Sequence, residues 1–150
     1  MEISGLLDPR CVKLDLEAPG KGEAIGELIA LAASAGLIAD TDAVERAILA
    51  REALMSTGIG EGVALPHALI EGFERTVLAV GRSRGGIDFD SLDGAPVHLV
   101  LLIVGPKGQE RSHMALLSHL ARVLSDPSLK RQILDAATPQ DLAALLGSAP

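Results

Sequence analysis

Alternating and clustered hydrophobic positions along the chain predict three strands. In residues 11–16 apolar side chains alternate with charged ones, a pattern typical of a half-buried strand. Residues 76–81 are predicted to form a second strand. Residues 97–104 (VHLVLLIV) are the most hydrophobic run and are predicted to form a central strand.

Apolar residues at helical spacing predict helices before and after these strands. Residues 20–36 carry such a stripe and end at Gly36, a natural residue just beyond a helix. A second helix begins at Asp40 or Thr41 and reaches about Leu54. Three more helices follow the central strand: residues 112–124, a short helix capped by Asp126 with Pro127 at its first position, and another that uses Thr138 and Pro139 in the same way.

This order of elements indicates a mixed α/β domain, in which a sheet of about four to five strands is flanked by helices. Residues 82–96 (RSRGGIDFDSLDGAP) are rich in glycine and aspartate and are predicted to form a turn-rich connection. A chain of 150 residues fits a single domain over residues 1–150, and it is long enough to bury a core without disulfides.

Composition and charge limit the partners that the chain can have. The net charge is −7, there is no Trp or Tyr, and the two phenylalanines are Phe73 and Phe89. Nucleic-acid surfaces use basic patches and aromatic stacking, so we expect no nucleic-acid partner. No run approaches the ~20 apolar residues of a membrane span, and Cys11 is the only cysteine. We expect a cytoplasmic protein without direct membrane insertion.

His67 stands out among the four histidines because the chain leading to it is constrained. Pro66 has a fixed φ and favours an extended Leu65, so residues 63–66 are predicted to form a stiff strand that delivers the imidazole. Upstream glycines allow the backbone to approach a ligand, and nearby hydroxyl and guanidinium groups suit phosphate oxygens. The predicted phosphate-loop residues are Ser56, Thr57, Gly58, Gly60 and Gly62, and the guanidinium belongs to Arg51.

The other three histidines receive different predictions. His113 lies in the middle of the apolar stripe of its predicted helix and in its first turn, where an anion is favoured. A ligand-facing role and a buried structural role are equally compatible with that position. His119 lies well off the stripe and is predicted to be solvated. His98 is predicted to be packed and hydrogen-bonded in the apolar strand, or to support the site from behind.

Several kinds of chemistry can be tested against these residues. A P-loop is excluded because no lysine follows the last glycine in the required pattern, and residues 58–62 lack the dinucleotide spacing. Zinc on His67, His98 and His113 is conceivable, but no local spacing supports it. No serine-nucleophile motif is present. Covalent phosphorylation of histidine fits best, because a neutral imidazole is a nucleophile near neutral pH. No metal or cofactor is expected.

Three stretches carry a resemblance to a known family: residues 51–68 (REALMSTGIGEGVALPHA), 86–106 (GIDFDSLDGAPVHLVLLIVGP) and 112–134 (SHMALLSHLARVLSDPSLKRQIL). Over about residues 3–146 the chain resembles the enzyme IIA family of the phosphoenolpyruvate-dependent phosphotransferase system, in its mannitol/fructose/nitrogen-regulatory class. The resemblance implies a mixed α/β sandwich.

The resemblance also implies roles for single residues. His67 matches the histidine that takes a phosphoryl group from the histidine phosphocarrier protein on Nε2, His113 matches a second histidine that hydrogen-bonds the phosphate, and Arg51 matches the arginine that begins the motif. Glu61 stands where asparagine is frequent, and Ala68 stands where glycine usually follows the active histidine. Glu61 is expected to add negative charge near the phosphoryl group, and Ala68 to narrow the backbone options. Either residue is able to change the transfer rate or the choice of partner.

A phosphotransferase component of this kind passes its phosphoryl group to a separate enzyme IIB or regulates other proteins by its phosphorylation state. A homo-oligomer is compatible with the resemblance. The alternative is a regulatory interaction module that keeps the fold but transfers little phosphate, with Glu61 and Ala68 as the features that suggest it.

Overall fold

A mixed six-stranded sheet with five α-helices forms residues 5–149, the part of the chain that the computed structural model describes. The strands run in the spatial order β1-β5-β6-β3-β2, and β4 also pairs with β6. Pairing is antiparallel for β5 with β6 and β2 with β3, and parallel elsewhere. The strands are β1 (Val12–Lys13), β2 (Gly58–Gly60), β3 (Val63–Ala64), β4 (His67–Ile70), β5 (Val77–Ile87) and β6 (Val97–Pro106).

Five helices begin and end close to their predicted bounds: α1 (Lys21–Ser34), α2 (Thr41–Leu54), α3 (Glu110–Val123), α4 (Pro127–Asp135) and α5 (Pro139–Gly147). The predicted caps are confirmed. Asp40 accepts a hydrogen bond from the Ala43 amide at 3.0 Å, and Asp126 and Thr138 make equivalent bonds at the starts of α4 and α5. Local sequence therefore sets these helix starts, because each cap satisfies an amide that the helix leaves unpaired.

The strand predictions needed three changes. Strand β1 covers only two residues of the predicted 11–16. Strand β5 continues to Ile87, so the first part of the predicted connection 82–96 is a strand that pairs with β6. The glycine-rich segment contributes the short strands β2 and β3, which raises the count above four to five. The predicted fold class, a mixed α/β sheet with flanking helices, is confirmed.

The core is built around β6, whose residues 99–104 are all almost fully buried. Helix α1 packs on β5 and β6, and α2 packs on α1 and β4. Side chains of α3, α4 and α5 complete the same aliphatic core, to which Phe89 contributes the largest fully buried side chain.

Strands β3 and β4 lie end to end along β6, and this arrangement positions the site. Val63 pairs with Leu99, and His67 pairs with Ile103 further along the same strand. The interruption between them falls at Leu65 and Pro66. Pro66 has no N–H to donate, but its carbonyl oxygen accepts a hydrogen bond from the Ile103 amide at 3.0 Å.

Within residues 5–149, the helices are all too short or too polar to cross a membrane.

Candidate active site

His67 begins β4, and its ring is oriented by the residue two positions before it. The His67 Nδ1 atom lies 2.6 Å from the carbonyl oxygen of Leu65. A carbonyl oxygen only accepts, so Nδ1 donates and carries the hydrogen of the neutral ring. The Leu65 backbone is itself held, because its amide donates to the Thr57 carbonyl at 2.9 Å. The neutral tautomer therefore has its lone pair on Nε2.

The surroundings of His67 favour this neutral form. Burial lowers the pKa of His67 below its ordinary value of 6.5, and the positive charge of Arg51 lowers it further. The Leu65 hydrogen bond and the negative charge of Glu52 raise the pKa, but they only partly offset burial. At neutral pH the imidazole is thus an unprotonated nucleophile.

His113 lies beside His67, with 5.4 Å between the ring centroids and 53° between the ring planes. Helix α3 begins at Glu110, two residues earlier than predicted, and the His113 amide is paired with the Gln109 carbonyl oxygen at 3.0 Å. The predicted place of His113 on the buried stripe is confirmed. Its amide, however, is not one of the unpaired amides at the helix start.

The His113 ring is buried without satisfying its polar atoms. Within residues 5–149 neither Nδ1 nor Nε2 has a hydrogen-bond partner. Burial, and then the neighbouring His67, lowers the pKa of His113. Buried polar atoms usually have partners, so both nitrogens of this ring remain free to form a hydrogen bond.

Gly105 makes room for that ring. A Cβ atom at position 105 would lie 2.9 Å from His113 Nδ1 and 3.1 Å from the Cδ2 atom of Leu69. Gly105 pairs with Leu69 in the sheet, so the backbone has little freedom to move away. Sequence reasoning missed this residue, because only the approach of α3 to β6 gives it a role.

A cavity of about 360 Å³ adjoins His67 and is called here the His67 cavity. Arg51 lines it, and its Nη1 donates to the Met55 carbonyl oxygen at 2.8 Å, which closes the end of α2. Three side chains on its border are exposed and apolar: Met55 (63%), Ile59 (43%) and Leu92 (80%). His67 thus lies beside a cavity whose exposed rim is apolar and whose one charged lining group among the described residues is the Arg51 guanidinium.

The predicted phosphate loop divides into two parts. Ser56, Thr57 and Gly58 line the His67 cavity, but both hydroxyl groups are engaged elsewhere. Ser56 Oγ donates to the Phe89 carbonyl oxygen, and Thr57 Oγ1 donates to the Glu52 carboxylate. These hydroxyls fix the shape of the segment and are not directed at a ligand.

Gly60 and Gly62 do not line the His67 cavity. They flank the turn between β2 and β3 and have positive φ angles, as does Glu61 between them at 58°. The Glu61 amide donates to Asp93 at 2.9 Å, and the Glu61 carbonyl oxygen accepts from Lys130 at 2.8 Å. The expectation that Glu61 adds charge near the phosphate finds no support in this placement. Ala68 lies in β4, paired with Val104.

Glu52 is a buried carboxylate that sequence reasoning missed. It is 5% exposed and accepts from the Thr57 amide at 2.9 Å and from Lys21 Nζ at 3.3 Å. Val44, Ile48 and Glu52 recur every four residues on the buried side of α2, so helical spacing alone would have predicted its burial. Glu52 fixes the segment before the glycines and places a negative charge near His67.

The two remaining histidines lie outside this cavity. His98 is half-buried, and its Nδ1 lies 2.9 Å from the Ser83 carbonyl oxygen, as predicted for a packed, hydrogen-bonded residue. His119 is 6% exposed, so its predicted solvation is wrong. The Arg122 guanidinium, one turn further along α3, lies 2.8 Å from His119 Nδ1 and covers it.

The three histidines of the zinc alternative do not converge, because His98 lines a different cavity from His67. Over the described residues no group of three His, Cys, Asp or Glu side chains is arranged to hold a metal ion.

Comparison with known proteins decides the family. The sequence profile described as "Phosphoenolpyruvate-dependent sugar phosphotransferase system, EIIA 2" matches residues 5–149. The chain belongs to this family. The EIIA 2 assignment confirms the resemblance found in the sequence, and EIIA components are phosphotransferase carriers.

Relatives within the EIIA 2 family have different named roles. The chain is 40% identical over 136 residues to the "PTS system fructose-specific EIIABC component" of Bacillus subtilis, matching 91% of this chain but only 21% of that protein. It is 33% identical to a "Nitrogen regulatory protein" of Bradyrhizobium diazoefficiens, covering 100% of this chain and 97% of that one. The structure of IIA-Ntr from Neisseria meningitidis superposes with a TM-score of 0.89 at 30% identity, covering 96% of this chain and 98% of the other.

Proposed function

We propose that this chain, acting as one domain over residues 1–150, is a cytoplasmic phosphoryl carrier whose acceptor atom is Nε2 of His67. The observation that carries the proposal is the bond from His67 Nδ1 to the Leu65 carbonyl oxygen at 2.6 Å. It leaves the lone pair on Nε2, in a ring that adjoins an open cavity and that burial keeps neutral. The proposed donor is the histidine phosphocarrier protein, as the family resemblance implies.

The proposed transfer is a displacement at phosphorus. The Nε2 lone pair attacks the phosphorus atom of the donor's phosphohistidine, a new N–P bond forms, and the electron pair of the broken N–P bond returns to the donor's ring nitrogen. No proton has to move, because His67 keeps its Nδ1 hydrogen throughout. The product ring carries a positive charge, which the Leu65 carbonyl oxygen stabilises through the same hydrogen bond.

Two further side chains are proposed to hold the phosphoryl oxygens. His113 has unpaired ring nitrogens within residues 5–149, and its ring is 5.4 Å from that of His67. Arg51 lines the His67 cavity and uses only Nη1 for its bond to Met55, which leaves the rest of its guanidinium for an anion. Donors of this kind stabilise the charge on a transferring phosphoryl group.

The phosphorylated chain is proposed either to pass its phosphoryl group to an enzyme IIB or to control other proteins by its phosphorylation state. The name EIIABC of the Bacillus subtilis relative supports a IIB acceptor, and the nitrogen-regulatory relatives support control. The exposed apolar rim of Met55, Ile59 and Leu92 suits either use, because each partner has to cover the cavity and exclude water.

The test supplies phosphoenolpyruvate, enzyme I and the histidine phosphocarrier protein, and follows the intact mass of this chain. We expect a gain of one phosphoryl group, labile to acid, in the wild type. His67→Ala should gain none. The matched control is His119→Gln, which changes a buried histidine outside the cavity and should be phosphorylated like the wild type.

An unmodified wild-type chain would contradict the proposal and favour the alternative of an interaction module that transfers little phosphate. Equal labelling of the His67→Ala variant would also contradict it, because the acceptor would then be another residue.

A further inference from the structure

A second cavity, of about 730 Å³, shares no lining residue with the His67 cavity. It lies between β5, the start of β6 and the chain that follows α4, and is called here the Arg82 cavity. Its charged or titratable lining residues are Asp15, Arg82, Arg84, His98 and Asp135. A volume of this size is typical of sites that bind small molecules.

Arg82 is only 4% exposed, yet it has no carboxylate partner within 4.0 Å among residues 5–149. All its hydrogen bonds go to backbone carbonyl oxygens. Nε donates to Leu14 at 3.0 Å, while Nη1 lies 2.8 to 3.1 Å from the acceptors Ile133, Leu134 and Ala136. A buried charge usually has a partner of opposite charge, so this guanidinium is only partly compensated.

These bonds give Arg82 a structural role, because they satisfy carbonyl groups at the end of α4. They do not use the whole guanidinium. Nη2 carries two of its five N–H donors and makes no hydrogen bond to any of the described residues. The two N–H donors of Nη2 therefore remain available to a carboxylate.

The remaining charges of the cavity divide into a pair and a single carboxylate. Arg84 Nε and Asp15 Oδ1 are 3.1 Å apart and compensate each other. Asp135, the last residue of α4, is exposed and has no ion-pair partner in the described part of the chain. A carboxylate at a helix C-terminus is unfavourable, because the helix dipole is negative there. Asp135 would therefore gain from a bound cation.

His98 adds a second acceptor. Its Nδ1 is 2.9 Å from the Ser83 carbonyl oxygen and so carries the hydrogen of the neutral ring, which leaves Nε2 as an acceptor. The cavity thus combines one partly compensated guanidinium with two acceptors, the Asp135 carboxylate and the His98 Nε2 atom.

We propose that the Arg82 cavity binds a free α-amino acid, with the carboxylate on Arg82 and the ammonium group between Asp135 and His98. A ligand with both charges matches a lining that is neutral in sum but contains separate positive and negative groups. A ligand with only a negative charge would leave Asp135 without a partner of opposite charge. A ligand with only a positive charge would leave Arg82 without one. The site does not depend on phosphorylation of His67.

Chemical-shift mapping with the ¹⁵N-labelled full chain tests the proposal. The probes are L-glutamine, L-glutamate, L-leucine and L-lysine, with propionate and propylamine as analogues that carry one charge each. At least one amino acid should shift the amides of residues 82–84, 98 and 134–137, and both analogues should bind about tenfold more weakly or not at all.

Two variants test whether the ammonium group of the ligand binds at Asp135, and neither removes a hydrogen bond of Arg82. Asp135→Asn should weaken amino-acid binding about tenfold, and Asp135→Lys should abolish it. The matched control Glu74→Gln removes an exposed carboxylate elsewhere and should leave binding unchanged. The proposal is overturned if no amino acid shifts these amides, if propionate or propylamine binds as tightly as the amino acids, or if Asp135→Asn binds like the wild type.

Discussion

The His67 cavity and the Arg82 cavity differ in whether the buried polar side chain beside them has hydrogen-bond partners. Beside the first, His113 is buried with both ring nitrogens unpaired among the described residues. Beside the second, Arg82 is equally buried but donates to four backbone carbonyl oxygens. The first arrangement reduces the stability of the fold, whereas the second contributes to it.

This difference is informative about function. An unpaired buried imidazole is retained at a free-energy cost that a bound phosphoryl group would remove, as expected for a site that is filled only in part of a cycle. The Arg82 bonds join β5 to the end of α4 whether or not a ligand is present. Substitutions in the two cavities should therefore separate activity from stability.

The largest effect is expected from His113→Leu. Loss of a donor to the transferring phosphoryl group should slow transfer about 100- to 1000-fold. Thermal stability should hold or rise, since the substitution removes two unpaired buried nitrogens. Rapid-quench kinetics with the phosphorylated carrier and calorimetry measure the two quantities. The control is Ala115→Ser, a substitution at an exposed position two residues away. An unchanged transfer rate in His113→Leu would show that His113 is only a core residue.

Arg82→Leu should show the opposite pattern. Four carbonyl oxygens would lose their donor, and the free energy of unfolding should fall by about 3 kcal/mol. Urea titration measures this change, with the exposed Arg84→Leu as a control that should cost less than about 1 kcal/mol. Folded Arg82→Leu protein should still accept phosphate on His67 at the wild-type rate. A stability loss no larger than that of the control would show that the carbonyl bonds contribute little.

Gly105→Ala tests the positioning of His113 with a single methyl group. The new Cβ would approach His113 Nδ1 to 2.9 Å, so the ring has to shift and transfer should slow about 10- to 100-fold. Gly85→Ala in β5 is a matched control, because no atom beyond its own residue and its two chain neighbours lies within 4 Å of its new Cβ. Equal rates for both variants would mean that the ring position is not critical. The His113 ring resonances report the displacement directly.

The pH dependence follows from the lowered pKa values of His67 and His113. Transfer needs a neutral His67, so its rate should be flat through neutral pH and fall only at pH values below 6.5. As the pH falls, the unfolded chain binds protons at these histidines at a higher pH than the folded chain does. The free energy of unfolding should therefore decrease as the pH falls through 6.5. Rate and unfolding measurements from about pH 5 to 8 test this, and a rate midpoint above 6.5 would contradict it.

The smallest effect is expected from Glu61→Asn. Glu61 has a φ of 58°, a conformation that asparagine tolerates better, so unfolding should become harder by roughly 0.5 to 1 kcal/mol. The ion pair that is lost, Glu61 with Lys130 at 4.0 Å, is long and partly exposed. The transfer rate should not change. A slower or faster transfer would restore the hypothesis that Glu61 acts on the phosphate.

Much of the fold was predictable because local interactions decide it. Asp40, Asp126 and Thr138 cap helices as expected, and the run 97–104 is the buried centre of the sheet. The short strand β2 and the extension of β5 were not predicted, because both contain glycines, which weaken a strand pattern. The parallel pairing of β3 was not predictable either, since its partner β6 is distant in the chain. The assignment of one domain to residues 1–150 stays a prediction.

The candidate site was predictable in part. The constrained approach to His67 and the buried stripe of His113 are local patterns, and the structure brings the two rings together. The glycine segment was less predictable, because the Ser56 and Thr57 hydroxyls donate to Phe89 and Glu52, partners that the local sequence does not reveal.

By itself the sequence determined where helices begin, which strand is central and which histidine follows a stiff strand. It also determined which family the chain resembles. These properties depend on neighbours within a few residues or on a motif. Only the tertiary structure decided that Gly105 makes room for His113, that Glu52 fixes Thr57, and that Arg82 meets the end of α4. Each of these contacts depends on how one element packs against another, and hydrogen bonding and close packing select them only once the chain has folded.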